Sequence, residues 1–293
     1  MMTARRVATF SIVAFDPQAR AWGIAVASKF PAVGAVVPWA EAGAGAVATQ
    51  SYANTRYGPA GLARMRAGAT AEEALAALLA GDPQRAQRQV GLVDAQGNAA
   101  TFTGESCLAW AGGRCGAGYA VQGNILVGPE VVDAMGMAFE RAPGDLPQRL
   151  LDALAAGDAA GGDRRGRQSA ALYVTRDGGG YAGFNDRWID YRVDDDPHPI
   201  LRLRDLLDLH RLYFGQSPPE EKLPLEGEVA RWLTRLLQRH AGFTGPVANQ
   251  LDPAALEALG EFIGRENFED RLDLAGRLID RPVFEHLVGR FPE

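Results

Sequence analysis

The chain has 293 residues, a formal net charge of −6 at pH 7 and a hydrophobic fraction of 47%. This charge argues against the clustered cations that bind a nucleic-acid backbone, and no apolar run approaches the ~18 residues that cross a bilayer, so we expect neither nucleic acid nor a membrane as a partner. The N-terminal residues lack a convincing signal peptide, which predicts a cytoplasmic protein.

The first predicted element is a strand over residues 9–15, in which Thr9, Ser11 and Val13 share one face. The turn "DPQAR" follows, and "AWGIAVAS" returns as a second strand, which predicts a β-hairpin. Two more strands are expected at "AVVPWAEAG" and "GAVATQS".

Helical patterns come next along the chain. Thr70 and Glu73 have the spacing of a capping box in "ATAEEALAALLAGD". Two later helices are predicted, one beginning after Pro129 and one at "LPQRLLDALAAGDAAG", and the remaining strands are expected in "RQVGLVDAQGNAATFTG", "GYAVQGNIL" and residues 167–195. Because the helices are segregated from the strands, the order predicts an α+β layered fold and not a doubly wound one.

The domain organisation follows from composition. The helix "PILRLRDLLDLHRLYFG" closes a first unit of residues 1–215, and the proline-rich stretch "QSPPEEKLPLEG" indicates a linker over residues 216–224. Residues 225–293 then show three amphipathic patterns, which predict a small all-α domain.

Histidine and cysteine usage restricts the chemistry of the first unit. All four histidines lie at or beyond its end, so it cannot build a serine–histidine–aspartate triad or a histidine metal cage by itself. Cys107 and Cys115 are too few for a disulfide framework or a zinc site. We expect them to be small buried fillers, with a bridge across a hairpin as the alternative. No metal and no cofactor are predicted.

A base other than imidazole is available at a chain terminus. The α-amine has a pKa of about 7.7–8.0, so part of it is free base at neutral pH. It can therefore accept the proton of its own residue's hydroxyl. Thr9 at the head of a strand suits this role as a candidate catalytic residue, and Ser11 shares its face.

Lys29 is a further catalytic candidate. Only Lys29 and Lys222 are lysines among the 30 basic residues, so arginine serves almost everywhere else. A partly buried lysine can lower its pKa and move a proton, whereas arginine stays charged. The alternative is a surface lysine of no function.

Several polar residues are candidates for binding substrate. Asn124 in "VQGNIL" could donate to an oxyanion, and Gln50, Ser51 and Asn54 could contact substrate, although ordinary turn hydrogen bonds explain each of them as well. The stretch "GGDRRGRQS" could grip a substrate carboxylate with its guanidinium groups, while Asp163 orients the α-ammonium or Lys29. Its candidates are Asp163, Arg164, Arg165, Gln168 and Ser169. A solvated charged turn is the alternative.

These stretches together resemble a known family. "TFSIVAFD", "WGIAVASKFPAVGAVVPWAEAGAGAVATQ", "YGPAGL", "YAVQGNIL" and "GGDRRGRQSAALYV" are similar to the bacterial and archaeal family called domain of unknown function 1028, over roughly residues 8–215. That family is similar to the N-terminal-nucleophile hydrolases. The resemblance implies a four-layer αββα sandwich and places the nucleophile at Thr9. Here "MMTARRVA" precedes Thr9, so its amine would have to be freed.

Residues around 225–270 resemble a peptidoglycan-binding-like module that accompanies this family, which implies a peptidoglycan fragment as a possible partner. The main expectation is an amidohydrolase that cleaves a C–N amide bond of a small anionic substrate through Thr9. The alternative is a non-catalytic protein that binds a ligand or cell wall on a retained hydrolase sandwich. A homo-oligomer is expected, because related sandwiches often assemble.

Overall fold

The computed structural model describes residues 9–292, and it divides into two compact units after Leu207. The strands of the first unit are β1 (Thr9–Asp16), β2 (Ala21–Ser28), β3 (Pro38–Glu41), β4 (Gly45–Ser51), β5 (Arg88–Asp94), β6 (Ala99–Thr103), β7 (Gly112–Gly116), β8 (Tyr119–Asn124), β9 (Ser169–Arg176) and β10 (Arg187–Val193). Its helices are α1 (Tyr57–Arg66), α2 (Ala71–Ala80), α3 (Glu130–Arg141), α4 (Leu146–Ala159) and the first part of α5 (Pro199–Phe214).

The strands of the first unit form two antiparallel sheets. The six-stranded sheet has the order β10-β9-β2-β1-β8-β7, and the four-stranded sheet has the order β3-β4-β5-β6. Strand β1 lies between β2 and β8, with Phe10 opposite Ala27 and Thr9 opposite Asn124. The N-terminal end of β1 therefore lies in the interior of the larger sheet.

Alternating side chains place three hydrophobic cores in this unit. Phe10 and Ile12 lie in one core with α3 and α4, on the outer face of the six-stranded sheet. Val47 and Leu92 lie in a second core with α1 and α2, on the outer face of the four-stranded sheet. The third core contains Trp22 and lies between the two sheets. Each sheet is thus covered by helices on one face and by the other sheet on its second face.

The second unit has its own core. Its helices are α6 (Gly227–His240), α7 (Pro253–Arg265) and α8 (Arg281–Arg290), and its strands are β11 (Lys222–Pro224), β12 (Leu272–Asp273) and β13 (Leu278–Asp280). The three strands form a small sheet in the order β11-β13-β12. Arg271 and Asp280 form a buried ion pair beside it, with 2.7 Å between Nε and Oδ2.

The predicted combination of sheets and helices, with a helical C-terminal region, is confirmed. The capping box is also present, because Thr70 accepts a hydrogen bond from the Glu73 amide and Glu73 accepts one from the Thr70 amide. The small sheet was not predicted, since strands of two or three residues are too short to show a period. Strand β11 also begins inside the stretch predicted to be a linker.

The two cysteines do not follow the expectation of buried fillers. Both are free thiols, so no bridge joins them, and Cys115 is exposed while Cys107 is half-buried. Cys115 lies on β7, which is an edge strand of the six-stranded sheet and so has one unpaired side. No helix among residues 9–292 is both long enough and apolar enough to cross a membrane.

Candidate functional site

The layer between the two sheets changes character along its length. Trp22, Ile24 and Val26 fill one part with apolar side chains from β2. The other part, next to the N-terminal end of β1, contains buried side chains that carry hydroxyl or amide groups. We call the following set the polar end: Ser11, Gln50, Gln89, Gln122 and Asn124, each 0% or 1% exposed.

Ser11 is fixed from two sides within the polar end. Its hydroxyl donates to Gln50 Oε1 at 2.6 Å and accepts from Gln122 Nε2 at 2.7 Å. Ser11 and Gln122 belong to the six-stranded sheet and Gln50 to the four-stranded sheet, so the bond from Ser11 to Gln50 joins the two sheets. The Ser11 hydroxyl therefore uses its donor and one of its acceptor positions within the polar end.

Gln89 continues the network across the layer. Its Oε1 accepts from Gln50 Nε2 and from Asn124 Nδ2, both at 2.9 Å. Its Nε2 donates to the Gly123 carbonyl at 2.7 Å and to Thr103 Oγ1 at 2.9 Å. These bonds satisfy buried amides that would otherwise each cost about 1–3 kcal/mol.

Gly91 makes the room that Gln122 occupies. A Cβ atom at position 91 would lie 2.0 Å from Gln122 Oε1, which is far inside van der Waals contact. Gln122 Oε1 also lies 3.4 Å from the Thr101 hydroxyl on β6. The polar end thus depends on a glycine in β5 as well as on the side chains that form it.

Thr9 lies at the edge of this network. It begins β1, is 0% exposed, and its Oγ1 is 3.4 Å from Ser28 Oγ, at the long limit for a hydrogen bond. The Thr9 carbonyl accepts from Gln50 Nε2 at 3.3 Å, which ties the start of β1 to the facing sheet. Ala8 precedes Thr9, so the Thr9 nitrogen is an amide in the full chain and not a base.

Lys29 is exposed, and its backbone and side chain have separate partners. Its Nζ donates to the Arg167 carbonyl at 3.3 Å. Its backbone amide donates to Asp163 Oδ2 at 2.8 Å. Asp163 therefore orients the Lys29 backbone, whereas the sequence suggested that it orients the Lys29 ammonium group or the Thr9 amine.

The arginines of "GGDRRGRQS" do not form an open guanidinium fork. Arg165 Nη2 pairs with Asp163 Oδ2 at 2.8 Å, and Arg167 Nε pairs with Asp158 Oδ1 at 2.7 Å. Arg164 Nη2 donates to the Ala109 carbonyl at 3.2 Å. Two of the three guanidinium groups are thus neutralised within the protein, whereas Arg164 forms no ion pair with a carboxylate among residues 9–292.

The remaining candidates near this stretch, Ser169 and Gln168, form hydrogen bonds that fix neighbouring segments of the chain. Ser169 is buried, donates to the Phe30 carbonyl and accepts from the Val33 amide at 3.1 Å. Gln168 Nε2 donates to Asp195 Oδ1 at 3.1 Å on the surface. Both residues fix the segment after β2 and the end of β10, and neither contacts the polar end.

Asn54 belongs to a second buried cluster, around Asp82. Asp82 accepts from Arg88 Nε at 2.8 Å, from Tyr57 Oη at 2.9 Å and from Asn54 Nδ2 at 3.2 Å. Burial alone would raise the pKa of Asp82, but the hydrogen bonds from Arg88, the Gln84 amide and the two other side chains outweigh it and lower the pKa. Asn54 thus supports a charged cluster outside the polar end.

Two residues next to the polar end have strained backbones. Ser51, which follows Gln50, has a φ of +65°, and Ile125, which follows Asn124, has a φ of +54°. A β-branched residue at positive φ is a genuine outlier, and such strain persists only where neighbouring groups impose it. The Ile125 amide donates to the Leu108 carbonyl, and its carbonyl accepts from the Arg164 amide, both at 3.0 Å. Strain of this kind clusters at functional sites.

The structure brings together Thr9, Ser11, Gln50 and Asn124 from the predicted set. Sequence reasoning missed Gln89 and Gln122, which complete the polar end. A signal for them is present, because each glutamine interrupts an apolar strand ("RQVGLV" and "YAVQGN") at a position buried on both sides.

Comparisons with known proteins agree with this architecture. Residues 9–203 match the model of a family described as "Family of unknown function (DUF1028)". The chain belongs to the DUF1028 family. Residues 213–287 match a second model, described as "Putative peptidoglycan binding domain".

A crystal structure of a DUF1028 protein from Silicibacter pomeroyi is similar to this chain. The two are 31% identical, the match covers 77% of this chain and 93% of the other, and the TM-score is 0.63. No curated protein matches the chain.

Proposed function

We propose that the first unit is an amidohydrolase of the N-terminal-nucleophile type, inactive while residues 1–8 remain attached to Thr9. The proposal includes the assignment of its two helix-covered sheets to the four-layer αββα sandwich of those enzymes. The observation that carries it is the position of Thr9: a hydroxyl at the head of a central strand, next to the polar end. Its substrate would be a small anionic amide.

The freed amine of Thr9 would supply the base in this reaction. It takes the proton as Oγ1 attacks the amide carbonyl, a C–O bond forms, and the C–N bond breaks as the proton passes to the leaving amine. Water then hydrolyses the ester to release the acid and restore Thr9.

Asn124 would assist this step. Its Nδ2 carries two hydrogens and gives one to Gln89, so the second can donate to the oxyanion.

The other candidates enter this proposal with different weights. Ser11 and Gln50 would keep the start of β1, next to Thr9, in position through their mutual hydrogen bond. A role for Lys29 requires its ammonium group to leave the Arg167 carbonyl. Arg164 is the best placed of the basic residues to meet an anionic substrate, because Arg165 and Arg167 are already paired with carboxylates.

The test compares the full chain with a protein that starts at Thr9, produced by cleavage of a fusion. With a panel of N-acetyl amino acids as probes and release of primary amine as readout, we expect activity only in the Thr9-started protein. Thr9→Ser should retain activity and Thr9→Ala should lose it. Because the base is an amine, activity should rise with pH through about 7.7–8.0. Equal hydrolysis by the full chain, or by Thr9→Ala, contradicts the proposal.

A second candidate function is binding of cell-wall polymer without catalysis. The match of residues 213–287 to a peptidoglycan-binding family favours it, and so does the complete burial of Thr9. The full chain should then co-sediment with purified insoluble peptidoglycan, and freeing Thr9 should change neither this binding nor the polymer. Failure to co-sediment would remove this candidate.

A further inference from the structure

A groove runs along the side of the first unit, between the edge strand β3 and strands β9 and β10. It consists of two cavities of about 270 Å³ and 430 Å³ that share Ala40, Tyr173 and Arg187. We call it the edge groove, and its main lining residues are Gly34, Trp39, Tyr173, Arg187, Asp190 and Arg192. Small-molecule sites typically have volumes of about 300–1,000 Å³, a range that includes the larger cavity, and the smaller cavity lies just below it.

Glycines hold two walls of the edge groove in place. Trp39 packs against Gly58, where a Cβ atom would lie 2.2 Å from the indole ring. The indole Nε1 donates to the Val36 carbonyl at 3.2 Å. Arg192 packs in the same way on Gly34, where a Cβ atom would lie 2.6 Å from its Cδ. Both side chains are therefore positioned before any ligand arrives.

The backbone beneath the groove is also strained. Ala32 has a φ of +52° just before the short 3-10 turn Val33–Ala35, which carries Gly34. The Ala32 amide donates to the Asp194 carbonyl at 2.9 Å, which ties this turn to the end of β10. Residues held in this region of backbone space recur at ligand clamps.

Arg187, Asp190 and Arg192 are the charged side chains of the smaller cavity, and the larger cavity adds the carboxylates of Glu41 and Asp186, so only the smaller cavity suits an anion. Arg187 Nη1 forms an ion pair with Asp190 Oδ2 at 3.0 Å, so these two side chains neutralise each other. Arg192 is exposed, and its guanidinium group makes no hydrogen bond or ion pair with any residue in the described range 9–292. The smaller cavity thus presents one unneutralised cation beside the indole ring of Trp39 and the side chain of Leu62.

We propose that the smaller cavity of the edge groove binds a small organic carboxylate, with its anionic group on Arg192 and its apolar body on Trp39 and Leu62. Arginine binds a carboxylate through two parallel hydrogen bonds, and an aromatic face accepts an apolar or planar group. No lining residue of the groove belongs to the polar end or is Thr9, so the proposal does not depend on the amidohydrolase function.

The test uses two probes that differ in charge: N-acetyl-phenylalanine and its uncharged carboxamide. Calorimetric titration of the full chain should show the acid binding at least about 10-fold more tightly, because charge-assisted hydrogen bonds are worth about that factor or more. Arg192→Gln should reduce the affinity for the acid to that of the amide and leave the amide unchanged.

Two controls complete the experiment. Arg187→Gln, in the same groove but already neutralised by Asp190, should change the affinity for the acid less than Arg192→Gln does. Arg20→Gln makes the same change of charge at an exposed arginine outside the groove and should leave the affinity unchanged, which separates binding in the groove from a general effect of net charge. Equal binding of acid and amide, an Arg192→Gln variant that still prefers the acid, or no binding of the acid at about 10 mM would each overturn the proposal.

Discussion

The two ends of the layer between the sheets differ in the side chains that fill them. At one end β2 contributes Trp22, Ile24 and Val26, and stability comes from removing apolar area from water. At the other end β1, β4, β5 and β8 contribute hydroxyl and amide groups, which gain little net free energy from burial. Such groups must find partners, and each partner fixes an orientation.

This difference indicates what the polar end is for. Burial of apolar side chains tolerates small shifts, but hydrogen bonds such as Ser11 to Gln50 and Gln89 to Asn124 hold only in one register of the two sheets. The apolar end therefore stabilises the fold, and the polar end positions the start of β1. Variants of each end should separate these two contributions.

The largest effect is expected at the apolar end. Trp22 is 1% exposed, and its Nε1 donates to the Asp94 carbonyl at 3.0 Å. Trp22→Ala should lower the free energy of unfolding by about 3–5 kcal/mol, because it leaves a large cavity. Ser11→Ala at the polar end should cost only about 1–3 kcal/mol. Urea-induced unfolding measures both, and a greater loss for Ser11→Ala would reverse the comparison.

An intermediate effect is expected from filling the space beside Gln122. Gly91→Ala places a Cβ atom against Gln122 Oε1 and should cost about 1–3 kcal/mol of unfolding free energy. Gly81→Ala is a matched control, because its Cβ would meet only ordinary contacts, and it should stay within about 0.5 kcal/mol of the parent.

A double variant sharpens this prediction. In a Gln122→Ala background the clashing side chain is absent, so Gly91→Ala should cost less than it does in the parent. Equal costs in both backgrounds would show that the loss arises from the β5 backbone and not from the polar end.

The sequence predicts which residues share a face of one strand better than it predicts the contacts between the two sheets. Alternation in β1 places Thr9 and Ser11 on one face, and the structure has them there because the period of a strand is a local property. The hydrogen bonds from Gln50 to Gln89 depend on how two sheets face each other, which no local pattern encodes. The open arginine fork that the sequence suggested is absent for the same reason. Asp158 neutralises Arg167 only because folding brings the two side chains together, and no local pattern shows this.

The edge groove also could not be predicted from the sequence. Trp39 and Arg192 are 153 residues apart in the numbering, and their positions depend on Gly58 and Gly34. A glycine that makes room for a distant side chain looks the same in a sequence as a glycine in a turn. The helical C-terminal region was easier to predict, because the spacing of apolar residues within each helix is sufficient evidence.

The smallest expected change in unfolding free energy concerns the Asp82 cluster, which contains charged groups, whereas the polar end contains none. Tyr57→Phe removes a hydrogen bond of 2.9 Å to Asp82 and should cost about 1 kcal/mol of unfolding free energy at pH 7. The folded-state pKa of Asp82 is lowered, so its contribution is present above the unfolded value of about 3.9 and is lost as pH falls through the folded value. The cost of Tyr57→Phe should therefore shrink below about pH 4.

Ser11→Ala supplies the contrast in the same titration. Its partners Gln50 and Gln122 are neutral amides, so its cost should stay constant from pH 7 to acid. Tyr181→Phe is a control for the loss of a tyrosine hydroxyl, because Tyr181 is 81% exposed and should show no cost at either pH. Chemical unfolding at each pH measures all three variants. If the cost of Tyr57→Phe were independent of pH, its hydroxyl would not be stabilising the charged form of Asp82.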